Sequence, residues 1–577
     1  MVEIRRLLIA NRGEIAVRIV RACREMGIAS VVATAPGEEA SLAAELGDAT
    51  TGVASYLDGA SLVRAGVEAG VDAVHPGYGF LAEDASFAER VLEAGLVWVG
   101  PPADAMRAVG DKVAARAVAE AVGVPVVPGT TGEDLSDAEL AEQGGRIGVP
   151  LIVKAAAGGG GRGMRVVDDL ADLPDAVSAA REEAAAIFGD ERVFLERRLG
   201  RVHHVELQVL LDDHGNAVHL GERDCSLQRR HQKIVEESPS PVVDDAMRRK
   251  LGEAAIALAD RAGYRGAGTA EFLLGDDGGW WFLEMNARLQ VEHPVTEAVT
   301  GIDLVRAQLE IASGAPLPFA QTDVSLRGHA IEARVYAEDP ARGFLPTGGR
   351  VGLLDLPRWP GVRIDTALRE GDVVGLGYDP LLAKVIAWDE DRPAAIARLR
   401  AALAETRIVG LATNLGFLLD VLDRPEVRDG SADTGYVESA WTPQVPELPE
   451  GVGAMAAGGD PWMAFGSAGT AEPAGVTVAG KHAQFQGWSY SLGDEDQAAT
   501  ELAPPGGSLV APMPASVLRV DVAEGDTVAA GQVVALLEAM KIQVQVVAPA
   551  AGTVSAVNVA AGAVVARGEV LIEVAEP

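Results

Sequence analysis

Cysteine is nearly absent from this chain: Cys23 and Cys225 are the only two in 577 residues. Two are too few for a disulfide framework and predict a reducing, cytoplasmic setting. Apolar runs long enough to span a bilayer are missing too, so no membrane partner is expected. The opening Met1-Val2-Glu3-Ile4-Arg5-Arg6 leads straight into a strand-like Leu7-Leu8-Ile9-Ala10, without the apolar core and cleavage site of a signal peptide. Basic residues are outnumbered, 49 Lys and Arg against 84 Asp and Glu. The net charge of −35 leaves no basic face for non-specific nucleic-acid binding. Lysine in particular is scarce. What the chain does have is length, enough for several domains with separate cores.

Strand-like and helix-like segments alternate up to about Pro443, the pattern of α/β layers. From there to about Gly475 the composition turns to Pro, Gly and Ala, and Ala503-Pro504-Pro505-Gly506-Gly507-Ser508 breaks the pattern again. That is linker composition, with room for a few strand residues around Phe485 to Leu492 and for a small partner-docking element.

Leu151-Ile152-Val153-Lys154 is a β run, followed by Gly158-Gly159-Gly160-Gly161 and a second β run, Arg165-Val166-Val167. A glycine loop between two strands is a flap over a ligand, not a strand-to-helix phosphate loop, and it lacks the Gly-Lys-Ser/Thr ending of that motif. Consecutive glycines let backbone N–H groups approach phosphate oxygens. Further on, Ala270-Glu271-Phe272-Leu273-Leu274 and Trp280-Trp281-Phe282-Leu283-Glu284 flank Asp277-Gly278. A two-residue Asp-Gly hairpin turn sets Glu271 directly opposite Glu284, with Cβ atoms about 5 Å apart. Their repulsion, about 3 kcal/mol at an effective dielectric near 20, calls for a cation between them. Strand alternation places Asn286 and Arg288 on the same face. Two carboxylates and an amide oxygen suit Mg²⁺.

The C-terminal residues contain one short sequence twice, thirty-seven positions apart: Ala511-Pro512 recurs as Ala548-Pro549, Val517 as Val554, Gly525 as Gly562, Val528 as Val565 and Gly531 as Gly568. Alternating apolar residues with glycines at the turns predict a pseudo-symmetric β-sandwich. Lys541, in Glu538-Ala539-Met540-Lys541-Ile542, falls at the joint of the two copies. From Ser508 onward the chain resembles the biotinyl and lipoyl carrier domains. Met540 favours biotin over lipoate, and Ile542 stands where the biotin family usually has a second Met. The resemblance implies biotin attached to Lys541 by a biotin protein ligase, and a ring that swings between two active sites.

A second resemblance, to the ATP-grasp enzymes of the biotin carboxylase family, runs from Ile9-Ala10-Asn11-Arg12-Gly13-Glu14 to about Trp441. It takes in His75-Pro76-Gly77-Tyr78-Gly79-Phe80, Glu222-Arg223-Asp224-Cys225-Ser226, Gln228-Arg229-Arg230-His231-Gln232-Lys233, Glu284-Met285-Asn286-Ala287-Arg288-Leu289-Gln290-Val291-Glu292-His293 and Tyr378-Asp379-Pro380. Arg162 stands where many relatives have Lys. The implied architecture is an α/β pre-ATP-grasp domain (1–113), an ATP-grasp domain with a glycine-rich lid (114–320, lid about 131–203) and an α+β C-terminal domain (328–443). A linker or docking segment (444–507) and the all-β biotinyl sandwich (508–577) complete the expectation.

The same resemblance assigns roles. Lys112 and Lys154 would neutralise ATP phosphates, Glu196 and Leu199 would lie beside the adenine, and His204, Gln228 and His231 would line the nucleotide pocket. Glu271, Glu284 and Asn286 would hold Mg²⁺ or Mn²⁺. Lys233, Arg288, Gln290, Val291 and Glu292 would surround bicarbonate, with Glu292 as general base, and Arg334 would reach in to stabilise the enolate form of biotin. The implied product of the first step is carboxyphosphate. No segment remains for carboxyl transfer, so the chain resembles the α subunit of an acyl-CoA carboxylase, self-associating and working with a separate carboxyltransferase β subunit. A subunit of a pyruvate or other biotin carboxylase system is an alternative, and so is an ATP-grasp ligase joining a carboxylate to an amine. The latter has no use for a biotin-type lysine.

Overall fold

The computed structural model describes residues 2–130, 132, 134–156, 164–449, 452, 476–492, 508–511, 515–539, 542–565 and 568–575. At the N-terminus the Leu7-Leu8-Ile9 run forms strand Arg6–Ile9, the centre of a parallel five-stranded sheet. Its three apolar residues are buried, as a sheet covered on both faces requires. Helix α1 (Gly13–Met26) follows and stops where Gly27 takes the left-handed conformation at φ 70°. Helix α2 (Lys112–Ala121) starts on the Asp111 side chain, which accepts from the backbone N–H groups of Val113 and Ala114.

Strands Leu151–Ala155 and Arg165–Val167 pair antiparallel on either side of the glycine run, as expected for a flap. With Val193–Arg197 they form a small sheet with its own apolar core, including Leu140, Leu151, Val153 and Leu195. Gly158 to Gly161 themselves lie outside the described residues.

The site is built on an eight-stranded sheet. Its strands are β1 (Val202–Leu211), β2 (Ala217–Arg229), β3 (Gln232–Ser238), β4 (Gly266–Gly275), β5 (Trp280–Asn286), β6 (His329–Tyr336), β7 (Val362–Thr366) and β8 (Leu381–Asp389), in the order β5-β4-β1-β2-β3-β6-β8-β7. Register makes one face of it charged. Glu284 pairs with Glu271, Glu271 with Glu206, and Glu206 with Arg223. Beyond the bulges of β2, Glu236 pairs with Glu332, Arg334 with Lys384, and Lys384 with Asp365. Helix α3 (His293–Thr300) packs across β2, β3, β6 and β8 and buries this face. A row of buried charges must be paired or serve a ligand, because each costs several kcal/mol to desolvate.

Of the segment expected to be linker, residues 453–475 and 493–507 lie outside the described residues, but Val476–Ser491 forms a three-stranded meander. It belongs to the C-terminal domain's core rather than to a free connector, a correction to the linker reading of that stretch. Trp488 is buried against Gly416, and the Gln484 amide bonds the backbone of Ile408 and Thr406 at 3.0 and 2.9 Å. Trp488→Ala is expected to destabilise the domain by about 3–5 kcal/mol, as buried Trp truncations do. Chemical denaturation of the full chain checks this.

The C-terminal sandwich consists of two four-stranded antiparallel sheets, each taking two strands from each copy of the repeat. Equivalent residues share environments: Val517, Val554, Val528 and Val565 are all buried. Gly525 and Gly562 have φ 94° and 85°, and Gly531 and Gly568 have 81° and 82°, backbone that only glycine adopts without strain. Strands Val533–Ala539 and Ile542–Val547 pair up to Ala539 opposite Ile542. Met540 and Lys541 between them lie outside the described residues.

Candidate active site

The hairpin of β4 and β5 does set Glu271 opposite Glu284, but by a different turn from the expected one. Asp277-Gly278 is not a two-residue loop. The strands end at a Gly275–Gly279 backbone bond, so three residues turn the chain, with Gly278 at φ 79°. Phe272 then pairs with Phe282, and a bulge at Leu283 restores the register before Glu271. Glu271 is deeply buried and fully engaged: His204 Nε2 lies 2.7 Å from Oε2, while Asn286 and Lys233 donate to Oε1 at 2.8 and 2.9 Å. Burial opposes its charge, but Lys233 and His204 outweigh burial and hold the carboxyl far below the usual range. Glu284 goes the other way. Burial and the neighbouring Glu271 charge push it up, against the pull of Lys112. One member of the pair is thus left short of positive charge. A divalent cation between two carboxylates and the Asn286 amide oxygen relieves that deficit, so the residues fit Mg²⁺.

Lys233, on β3, gathers three carboxylates. Its ammonium bonds Glu206, Glu271 and Glu292, the last at 2.7 Å, and these acids keep it charged despite burial. Glu292 sits at the N-terminus of α3, where the helix dipole favours a carboxylate. Its Oε2 accepts from Arg334 at 2.9 Å. Arg334 comes from β6 and is also held by Glu236. Burial works against the Glu292 charge, yet Lys233, Arg334 and Arg223 hold it well below the ordinary carboxylate range. Arg288 reaches Glu83 at 2.9 Å, Gln290 at 3.1 Å and Asn286 at 3.2 Å. Gln290 lies 3.5 Å from Glu271, and the Val291 carbonyl faces the C-terminal domain. Lys233, Arg288, Gln290, Val291, Glu292 and Arg334 are therefore brought together.

The residues expected to meet the nucleotide form a second group beside the first. Lys112 occupies the first position of α2, where helix N–H groups and ammonium together attract phosphate. Burial and Lys154 lower its pKa, while Glu284, Glu196 and Glu271 oppose that fall. Lys154 on the flap strand pairs with Glu196, which also accepts from Arg116 at 2.7 Å. The Glu196 carboxylate is thus committed to Lys154 and Arg116. Leu199 lines a cavity of about 520 Å³ with Pro150, Arg197, Arg198 and Gly200. Gln228 is buried on β2 opposite Lys233, and His231 caps the β2–β3 turn with Arg230, both at positive φ (63° and 48°). Non-glycine residues in that conformation mark a position held by its surroundings.

Several residues of the site escaped sequence reasoning. Glu206 is fully buried and bonds both Lys233 and Arg223. Arg223 in turn donates to Gln208, Thr296 and Thr269 at 2.9, 3.0 and 3.1 Å. The available signal was alternation: His204, Glu206 and Gln208 share one face of β1, with Val205, Leu207 and Val209 on the other. Cys225 lies 3.9 Å from Glu292, but burial and the charges of Glu206 and Glu292 push its thiol well up, against the pull of Lys233. Burial and Asp48 push Cys23 to about 12. Neither thiol is expected to be alkylated by iodoacetamide at pH 8 in the native protein, which mass spectrometry before and after denaturation checks.

Comparison with known proteins agrees with this geometry. Residues 3–106 match the biotin carboxylase N-terminal domain, 111–320 the carbamoyl-phosphate synthase L chain ATP-binding domain, and 332–439 the biotin carboxylase C-terminal domain. Residues 507–574 match the biotin-requiring enzyme family of biotin-lipoyl domains. Biotin carboxylase of Nostoc sp. is 44% identical over 439 residues, covering 75% of this chain and 98% of that one. The mitochondrial methylcrotonoyl-CoA carboxylase subunit alpha of Dictyostelium discoideum is 44% identical over 454 residues, 77% of this chain. The matched region spans only 65% of that relative's length. Among solved structures, the biotin carboxylase domain dimer of Hydrogenobacter thermophilus 2-oxoglutarate carboxylase, in complex with MgADP, ADP and bicarbonate, superposes with a TM-score of 0.74. It is 39% identical over 75% of this chain and 97% of that one. Campylobacter jejuni biotin carboxylase gives the same TM-score at 40% identity, over 76% and 99%. The chain belongs to the biotin carboxylase family, with a biotin-lipoyl domain at its C-terminal end.

Proposed function

We propose that this chain carboxylates a biotin mounted on its own Lys541, using ATP and bicarbonate, as the α subunit of an acyl-CoA carboxylase. The observation that carries the reading is one cluster: Lys233, Glu292 and Arg334 joined beside the Glu271–Glu284 pair, in a chain that also holds the duplicated carrier domain. Bicarbonate binds among Lys233, Arg288 and Gln290, drawing the cations away from Glu292. Relieved of them, the Glu292 carboxylate becomes a stronger base and takes the bicarbonate proton as the oxygen attacks the γ-phosphorus of ATP. The bond from that phosphorus to the ADP oxygen breaks, and carboxyphosphate results. Lys112 and Lys154 offset the charge gathering on the phosphoryl oxygens. Glu271, Glu284 and Asn286 would hold Mg²⁺, which would supply Lewis-acid stabilisation there. Carboxyphosphate would then break its C–O bond and release phosphate, which would take the ureido N–H proton of biotin as that nitrogen bonds the carboxyl carbon, and Arg334 would hold the ureido oxygen.

A carboxyltransferase β subunit completes the reaction and selects the acyl-CoA. The chain self-associates within that complex. The deciding assay is ATP cleavage by the purified chain with free biotin, with and without bicarbonate. The expected result is cleavage that depends on bicarbonate. Cleavage that instead depends on an added amine removes the carboxylase reading in favour of a carboxylate–amine ligase. Copurification with the β subunit, followed by carboxylation of acyl-CoAs of different length, tests the partner.

A further inference from the structure

Among the described residues, one buried lysine has no role in the chemistry. Lysine occurs only at 112, 154, 233, 250, 384, 481 and 541. Lys384 sits in the middle of β8, in the apolar run Leu381–Asp389, with its side chain fully buried. An isolated ammonium there costs several kcal/mol in lost hydration. It donates one hydrogen bond and stands in ionic contact with two carboxylates, each group from a different part of the chain. The Val291 carbonyl is 2.8 Å away, Glu14 Oε1 on α1 is 3.2 Å away, and Asp365 Oδ2 on β7 is 3.7 Å away.

Of the two carboxylates, Asp365 is itself held by a second cation. Asp365 takes both arms of Arg363, at 2.9 and 2.7 Å. Arg363 also bonds Glu297 on α3, and Glu297 accepts from Arg18 on α1 at 2.9 Å. Lys384 is therefore the inward end of a braced network that joins the N-terminal domain to the C-terminal one. Its register partner on β6 is Arg334. Two neighbouring positions of the C-terminal domain thus grip two consecutive residues: Lys384 takes the carbonyl of Val291, and Arg334 takes the carboxylate of Glu292.

We propose that Lys384 is a positioning residue for bicarbonate: by holding the Val291 carbonyl against Glu14 and Asp365, it fixes the Gln290–Glu292 segment in the geometry the anion requires. The inference rests on the reading of that segment as the bicarbonate pocket. Without the grip, Val291 and Glu292 shift relative to Lys233 and Arg288, and displacement on the order of 1 Å at a reacting group costs about a hundredfold in rate. The nucleotide residues Lys112, Lys154 and Glu196 lie on other elements and make no bond to Lys384.

The test uses the full chain carrying Lys384→Met, and separately Glu14→Gln, which keeps the side-chain volume but removes the carboxyl. Burial already weakens the charge of that carboxyl, pushing its pKa up to about 7 against the pull of Lys384. Bicarbonate-dependent ATP cleavage with free biotin is measured while ATP and bicarbonate are varied in turn. For Lys384→Met the expected result is a KM for bicarbonate raised about tenfold or more and a reduced kcat, with the KM for ATP within about twofold of the parent. Glu14→Gln should move the same constants in the same direction by less. If Lys384→Met does not fold, Glu14→Gln alone decides. Bicarbonate constants unchanged in the folded variants overturn the proposal, and so does an equal rise in the KM values for ATP and bicarbonate, because that reports general loosening. A parent chain whose ATP cleavage ignores bicarbonate removes the functional reading itself, and this inference with it.

Discussion

Glu292→Gln leaves a chain that folds and binds ATP but loses bicarbonate-dependent ATP cleavage by about 10²–10⁴-fold, the contribution of a positioned general base. The amide keeps the shape of the carboxyl, but its single carbonyl oxygen accepts from only one of Lys233 and Arg334, which hold separate oxygens of the carboxylate. What it cannot do is take the bicarbonate proton. Lys112 and Lys154, the residues proposed to meet the ATP phosphates, lie on other elements, so the ATP dissociation constant should stay near that of the parent. Stability is the competing concern, because Glu292 is buried under two cations. Removing one charge of such a network can cost 3–5 kcal/mol, but Lys233 retains Glu206 and Glu271, and Arg334 retains Glu236, so neither cation is stranded. The measurement is paired: calorimetric ATP binding and steady-state phosphate release at saturating bicarbonate. Turnover near the parent's rate rules out Glu292 as the base.

How much of this was legible depended on whether the signal was local. The repeat around Lys541 was readable because glycine at a positive-φ turn leaves a mark at fixed spacing, and both copies obey it at Gly525 and Gly562. Glu271 facing Glu284 was readable as a pair but not as a turn: a longer loop and a bulge at Leu283 offset each other, so the pairing came out right from the wrong connection. Strand residues around Phe485 to Leu492 were legible, but their packing on the C-terminal domain was hidden by the Pro, Gly and Ala around them, although Phe485, Trp488 and Tyr490 are aromatic residues that a free linker does not need. Glu206, Arg223 and Lys384 were hidden for a different reason. Glu206 and Lys384 are single charges inside largely apolar strands and Arg223 stands between two acids, but each finds its partner on another strand or domain. A single sequence shows that such a charge must be satisfied without showing by what.

Lys541→Arg separates the two halves of the molecule. Arginine keeps the positive charge and nearly the length of the side chain, yet its guanidinium stays protonated and offers no free amine to acylate. Biotin attachment should therefore vanish on an avidin blot, while carboxylation of free biotin at saturating concentration stays within about twofold of the parent, since the two sites share no residues. Folding of the carrier should be indifferent to the change: Val534, Leu537 and Val546 pack the flanking strands into the sandwich, and the strands pair up to Ala539 opposite Ile542. Overall carboxylation of an acyl-CoA in the presence of the β subunit should fall to background, because a tether supplies the ring at an effective concentration on the order of millimolar that free biotin does not match. Biotin still bound to the Arg variant would refute the carrier assignment. Loss of free-biotin carboxylation together with attachment would instead mean that the carrier domain contributes residues to the ATP-dependent site.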